Sequence, residues 1–225
     1  MTTLLEIRDR LKDDLDLHEE HWKNDGQLND LINKSVRKAF RKIIAIHEDY
    51  FLSQANVVIT AVENEIDYPS NIYANKIKSI HFLWNNSAVE IKPVRRFDST
   101  IMLSSIVSDN SSPYRNWLAI DDLTDGKKIK LFPATGYAGT LSLWYIREPR
   151  LLVDDTDVCD IDEFTEFVVQ CTKAAYYALD GDPRYQIEKM EEKELERDLI
   201  NTLTNMTIGN DDTVVADYSH YEDSV

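Results

Sequence analysis

The sequence predicts an α+β fold: a four-helix bundle formed by N- and C-terminal helices, with an inserted small antiparallel β-domain and an extended C-terminal tail. Apolar residues recur about every 3.6 positions at both ends of the chain and every second position between them. The last twenty residues are polar and acidic. The expected domains are a discontinuous helical bundle (1–53 and 160–205), a β-rich insert (54–150) and an acidic docking tail (206–225).

The first helix is predicted from about Thr3 to Leu17, where apolar side chains at helical spacing alternate with acidic ones. Thr3 and Glu6 match a capping box, in which each side chain accepts a hydrogen bond from the other residue's backbone. The second helix is predicted from about Gln27 to Phe51. Its apolar face comprises Leu28, Ile32, Val36, Ala39, Ile43, Ile46 and Tyr50.

The opposite face of the second helix carries the only concentrated basic surface in the sequence. It consists of Lys34, Arg37, Lys38, Arg41 and Lys42. Two interpretations are open. The face is either a solvated surface balanced by acids of neighbouring helices, or an electrostatic dock for an acidic partner, such as the tail of a neighbouring copy.

The middle of the chain shows the alternation and turn signals of short strands. Asn85-Asn86-Ser87 reads as a hairpin turn, and Asp121 to Gly126 joins a second hairpin. Residues 97–105 are predicted as one short helix. The predicted strands are 57–60, 77–84, 88–94, 117–120, 128–132 and 139–146, and their short spacing favours an antiparallel sandwich or barrel.

An acidic connector, residues 150–166, leads into the C-terminal helices. One helix is predicted from about Asp162 to Leu179, ended by Gly181-Asp182-Pro183. The last helix is predicted from about Tyr185 to Asn205. By composition alone, Met206 to Val225 is a disordered acidic tail.

The charge balance limits the possible partners. The 225 residues include 41 Asp and Glu against 25 Lys and Arg, a formal charge of −16. So acidic a field repels nucleic acid, which argues against a conventional DNA-binding protein. The N-terminal residues lack the apolar region of a secretory signal, and no apolar run approaches the ~18 residues of a membrane span. We therefore expect no membrane association and expect Cys159 and Cys171 to be reduced.

Motifs for catalysis or cofactor binding are weak. His18-Glu19-Glu20-His21 lacks the spacing of a zinc-protease motif, and a polar loop is the favoured interpretation. The acids of the connector do not follow the register of an EF-hand, which favours a solvated connector over a calcium site. No nucleophile elbow, P-loop or dinucleotide fingerprint occurs. We expect no catalytic residues, no metal site and no cofactor.

Several apolar stretches nevertheless resemble one protein family. The strand ending in Tyr145-Ile-Arg-Glu-Pro149 is followed by an acidic stretch and then by a helix that begins near Phe164. This order resembles the head–tail adaptor (connector ring) proteins of tailed, especially short-tailed, bacteriophages. The other stretches that carry the resemblance are Tyr68-Pro69, Ile77 to Phe82, Trp117-Leu-Ala-Ile120, Lys128 to Pro133, Leu151 to Asp157 and Ala174 to Leu179.

The resemblance implies a structural role in the virion, at the head–tail junction or in the tail, for a protein made in the host cytoplasm. Such proteins form a ring, commonly of twelve copies, beneath the portal protein. The ring extends the channel through which DNA passes without specific binding, and it docks tail components. In several members a C-terminal segment reaches the portal or a neighbouring subunit. The corresponding candidates here are Asp211, Asp212, Val214, Val215 and Tyr218.

Two alternatives stay open at this point. The protein is either a ring component further down the tail that contacts other adaptors, or, from a different class, a phage-encoded enzyme whose site is assembled from scattered residues. Mass separates the classes, because a ring is many times heavier than 26.1 kDa.

Overall fold

The computed structural model describes residues 1–15, 25–61, 63–84, 87–94, 116–122, 126–132 and 138–218. These residues belong to two units of the chain. We call Met1–Tyr50 with Pro149–Val225 the helical unit, and Phe51–Glu148 the β unit. The helix expected over 97–105 and the residues Asn85 and Asn86 of the expected turn lie outside the described residues.

The helical unit contains four described helices. They are α1 (Leu4–Asp14), α2 (Asp25–Ile46), α3 (Thr165–Asp180) and α4 (Tyr185–Tyr218). The predicted capping box is confirmed at the start of α1, where the Glu6 backbone donates to Thr3 Oγ1 at 3.3 Å and the Thr3 backbone donates to Glu6 at 2.8 Å. Short 3₁₀ turns follow α2 (Glu48–Phe51) and precede α3 (Asp162–Phe164).

The buried apolar faces of the helices form the core of the helical unit, as their periodicity predicts. Removing each large apolar side chain from water contributes about 1.5–3 kcal/mol. Thr172 of α3 and Ser35 of α2 are also buried, and their hydroxyl oxygens are hydrogen-bonded to each other at 2.9 Å. The apolar core residues that are fully or nearly fully buried in these helices include Leu4, Ile7, Leu11, Leu28, Ile32, Val36, Ala39, Ile43, Phe167, Val168, Ala174, Leu199 and Leu203.

Acids of the connector organise its backbone. The Asp157 carboxylate accepts the N–H groups of Val153 and Asp154 at 2.7 and 2.8 Å, and these hydrogen bonds lower the pKa of Asp157. Asp162 accepts hydrogen bonds from the backbone and hydroxyl of Thr2. The connector thus fixes its own turns and the N-terminal end of the chain.

The β unit is a seven-stranded mixed sheet with the strand order β1-β7-β3-β4-β5-β6-β2. Neighbours pair antiparallel except β4 and β5, which are parallel at Lys92–Asn116 and Pro93–Trp117. Its buried core includes Ile59, Ile66, Ile80, Phe82, Ile91, Ile129, Leu131, Leu141 and Leu143. The strands are β1 (Leu52–Ile59), β2 (Glu65–Asp67), β3 (Ile72–Trp84), β4 (Ser87–Pro93), β5 (Asn116–Asp122), β6 (Gly126–Phe132) and β7 (Gly139–Arg147).

The expected four-helix bundle with a small inserted antiparallel β-domain and an extended tail is therefore wrong. The sheet is larger than expected, since β1 is twice the expected length and β2 adds a strand at the far edge. It is also curled and mixed rather than purely antiparallel. Parallel pairing of β4 with β5 depends on residues far apart in sequence, which local alternation cannot reveal. The tail expected from residue 206 is helical as far as Tyr218, because α4 continues through it.

Gly139 allows β7 to approach β3 closely. A Cβ atom at this position would lie 2.7 Å from the Leu83 carbonyl oxygen and 2.7 Å from the Phe82 ring.

Gly139→Ala should therefore lower the free energy of unfolding, measured by urea denaturation, by about 2 kcal/mol through overpacking. The control is Gly126→Ala, where φ is +80° but no atom lies within 4 Å, so backbone strain alone costs about 1 kcal/mol. Equal losses in the two variants would contradict the close approach.

Candidate interaction surface

The predicted basic face of α2 divides into two sets in the structure. Lys34, Arg37 and Arg41 are exposed and form no ion pair with any residue that the structure describes. We call these three residues the basic stripe. Lys38 and Lys42 are half-buried, because they lie nearer the side of α2 that packs in the helical unit.

Lys38 and Lys42 pair with carboxylates of α4. Lys38 Nζ donates to Glu192 Oε1 at 2.5 Å, and Lys42 Nζ donates to Glu196. Burial is the largest single influence and lowers the pKa of Lys38, but the hydrogen bond to Glu192 and the nearby negative charges together outweigh it, so the net shift is upward. For these two cations the structure agrees with a face balanced by neighbouring acids, whereas the basic stripe has no such balance among the described residues.

Glu192 is the centre of this cluster. The residue is only 2% exposed, and Lys189 of the same helix donates to both of its oxygens at 2.7 and 2.8 Å. Burial favours the neutral acid, but the hydrogen bonds from Lys189 and Lys38 prevail and lower the pKa of Glu192. Glu192 is therefore an ionised carboxylate held between two ammonium groups.

Net charge is divided unequally between the two units. Phe51–Glu148 contains ten Lys and Arg against ten Asp and Glu, so the β unit is formally neutral. The helical unit consequently carries the whole charge of −16. The basic stripe is a local exception on the acidic unit, which makes it a candidate for electrostatic docking.

The C-terminal candidates lie on the last part of α4 rather than on an extended tail. Asp211, Asp212, Val214, Val215 and Tyr218 all fall within the helix. The last described buried side chain of α4 is Leu203. From there the helix continues for roughly 22 Å, at about 1.5 Å per residue. Composition suggested disorder, but a segment that extends an existing helix avoids the cost of nucleation.

The other candidates form no catalytic arrangement among the residues that the structure describes. His18 to His21 lie outside the described residues. Within the described ranges, no group of three or more His, Cys, Asp or Glu is placed to hold a metal ion. Cys159 and Cys171 are buried free thiols, and burial raises the pKa of Cys171 to about 12, far from a reactive thiolate. In the same part of the chain, no helix is long and apolar enough to cross a membrane.

Sequence reasoning missed the acids that neutralise Lys38 and Lys42. A signal was present, because Glu192 and Glu196 are four residues apart, as are Lys38 and Lys42. Residues four apart share one face of a helix, so two such pairs can bridge two helices that run side by side. The sequence alone does not show which of the many acids in α4 face α2.

An acidic helical unit that exposes cations without an ion pair among the described residues offers a surface for electrostatic contact with other proteins. The family model for the SU10 adaptor protein matches residues 2–215. The chain belongs to this family, and it is a head–tail adaptor, a structural virion protein of a bacteriophage. None of the curated proteins matches the sequence. The resemblance to head–tail adaptors, stated above from short apolar stretches, is confirmed.

Replacing Glu192 tests its contribution to the helical unit. At pH 7, Glu192→Gln should lower the free energy of unfolding by about 1–3 kcal/mol, because hydrogen bonds to a buried charged group are lost. The folded-state pKa of Glu192 is lowered, so its contribution is complete above the unfolded carboxyl pKa of about 4.3. It disappears as the pH falls through the folded pKa. Wild type and variant should therefore converge in acid-dependent thermal denaturation.

Glu196→Gln is the matched control, because Glu196 pairs with Lys42 but is partly exposed. Its loss should stay within about 1 kcal/mol. If the Glu192→Gln variant were as stable as wild type at pH 7, the buried ion pair would not stabilise the fold.

Proposed function

We propose that the protein assembles into a ring beneath the portal protein at the head–tail junction, with the roughly twelve copies implied by its resemblance to connector-ring proteins. The ring extends the DNA channel and presents a docking surface for tail components. Membership of the adaptor family supports contact with other head and tail proteins. Ring geometry, portal contact and the absence of catalysis are parts of the proposal.

The basic stripe is the observation that carries the ring proposal. A ring of identical subunits uses a heterologous interface, in which two different patches of the same chain meet. Three exposed cations, which form no ion pair within the described ranges of a unit with a charge of −16, provide one patch that attracts an acidic surface of another copy. Lys38 and Lys42 contribute only indirectly to the ring contact. Their charges are already paired with carboxylates of α4, and these pairs hold α2 and α4 together.

The negative charge of the helical unit suits the passage of DNA. DNA binds proteins mainly through neutralisation of its phosphates by Lys and Arg. A ring whose subunits each carry −16 offers little such neutralisation, so DNA moves through without being retained. The same charge disfavours a role in which DNA is held.

The C-terminal part of α4 is the proposed contact with the portal or a neighbouring subunit. It carries Asp211 and Asp212 together with Val214, Val215 and Tyr218, which combine charge with apolar surface. The helical backbone of this segment supports docking as a preformed helix, which costs less ordering entropy than docking of a disordered tail.

The ring should be visible as mass. Sedimentation of the full-length protein alone should give a mass of about twelve times its 26.1 kDa, and a mixture with portal protein should give a heavier complex that contains the same number of copies. Electron micrographs should show closed rings. Because charged patches contribute to the contact, added salt should weaken assembly. A species of one or two chains at all concentrations, with and without portal protein, would contradict the ring. Rings that do not bind portal protein but bind another adaptor would indicate a position further down the tail.

Truncation tests the C-terminal segment. A chain ending at Asn205 keeps Leu203, the last described buried residue of α4, and should fold but bind portal protein at least tenfold more weakly. A chain ending at Tyr218 keeps all the candidate residues and should bind like wild type. Equal binding by both truncated chains would refute the docking role of residues 206–218. Circular dichroism is the control that each truncated chain is folded.

A further inference from the structure

We propose that the basic stripe of one copy docks on an unpartnered face of α4 in the next copy. That face carries Glu191, Glu194 and Asp198, which we call the acidic stripe. The inference rests on the proposed ring and identifies the second of the two patches that close it. The occupant of each stripe is thus a second copy of this chain.

The acidic stripe is available for such a contact. All three residues are exposed, and their carboxylates form no ion pair or hydrogen bond with any residue in the described part of the chain. They line a groove of about 360 Å³ on the helical unit. The acidic stripe is therefore both accessible and uncompensated.

The cations in this groove are already paired. Arg10 lies 2.6 Å from Glu166, and Lys173 lies 3.4 Å from Glu188. Neither neutralises the acidic stripe, so the groove retains an excess of negative charge. Cations from outside the subunit are the natural complement of this surface.

The two stripes match in spacing. Successive members of each stripe are three and then four residues apart along their helices. Each stripe therefore spans roughly 10 Å on one side of its helix, at about 1.5 Å per residue. Three cations can face three carboxylates at the same intervals, provided that the two helices run in the same direction.

Parallel alignment follows from the subunit and from the symmetry of a ring. Within one subunit α2 and α4 run in the same direction, because Lys38 pairs with Glu192 and Lys42 pairs with Glu196. Neighbouring copies in a twelve-membered ring differ by a rotation of about 30°. Such a rotation leaves α2 of one copy nearly parallel to α4 of the next, as the spacing requires.

The stripes of one subunit point away from its own α2–α4 contact. At about 100° per residue, the acidic stripe lies roughly 150° round α4 from Glu192 and Glu196. The basic stripe lies roughly 90° round α2 from Lys38 and Lys42. The lysines that hold the subunit together and the cations that remain free thus occupy different sides of α2, and pairing between the stripes requires two copies.

Apolar surface continues the acidic stripe toward the start of α4. Ile187 and Met190 are 60% and 67% exposed, although they belong to a helix that is packed on another side. Ile187 lies one turn before Glu191 on the same face. In the parallel alignment it falls opposite Asp30 of α2, which keeps that acid away from the acidic stripe. Burial of these side chains adds area to the electrostatic contact.

Exchange of charge between the stripes tests the pairing. Variant A carries Lys34→Glu, Arg37→Glu and Arg41→Glu, and variant B carries Glu191→Lys, Glu194→Lys and Asp198→Lys. Each variant alone should assemble about 100-fold more weakly than wild type, because like charges then face each other. Mixing A with B should restore rings in which the two variants alternate. A chain with all six substitutions should restore homomeric rings.

The control variant is Lys193→Glu with Arg197→Glu, which changes exposed charges on another side of α4 and should leave assembly unchanged. Circular dichroism and thermal denaturation of each variant establish that it is folded. Mass photometry of the full-length chains gives the assembled fraction. Rings in variants A and B as in wild type, or no rescue on mixing, would overturn the stripe pairing while leaving the ring proposal intact. A wild-type chain that never assembles would overturn the ring itself.

Discussion

The carboxylate of Glu192 is buried in a unit that is otherwise strongly acidic, and the packing of α4 depends on how that charge is compensated. Among the described side chains of α4, the only other buried ones are Leu199 and Leu203. An isolated buried carboxylate would be highly unfavourable, so Glu192 requires cations at hydrogen-bonding distance. Lys38 and Lys189 supply them. These ion pairs help to fix how α4 lies on α2, and Gln170 and Lys173 of α3 hold Glu188 of the same helix.

This constraint also decides which charges remain for other contacts. Because Lys38 is committed to Glu192, the outward cations of α2 are restricted to the basic stripe. Because Glu192 faces α2, the acids roughly 150° away on α4 face outward. One internal ion pair thereby separates, on each helix, a side that stabilises the fold from the side that carries the proposed stripe. A substitution at Lys38 affects the fold first, so its effect on assembly cannot be interpreted alone.

The helices could be predicted from the sequence because their signals are local. The spacing of apolar residues identified the buried face of α2, and Thr3 with Glu6 identified the start of α1. The division of the basic face could not be predicted. Arg37 and Lys38 are adjacent in sequence, and the difference between a free and a paired cation depends on acids more than 150 residues away.

The sheet and the C-terminal segment show two other limits of local patterns. Strand β2 has three residues and too short an alternation to be recognised, although it forms one edge of the sheet. Composition predicts disorder for residues 206–218 because it treats the segment as if it were separate from the preceding helix. A segment at the end of a helix that is already formed needs only propagation, and this is far less costly than nucleation.

The division of charge between the units bears on how such a subunit can assemble. A net charge of −16 on the helical units opposes their association at long range. At about 0.15 M salt this repulsion is screened beyond roughly 8 Å, whereas charges in direct contact are screened much less. Short-range pairs between complementary stripes can then outweigh the average repulsion. In the proposed ring, the same excess of negative charge that opposes association of the subunits also disfavours DNA binding, and the proposed contacts between the stripes supply the short-range attraction.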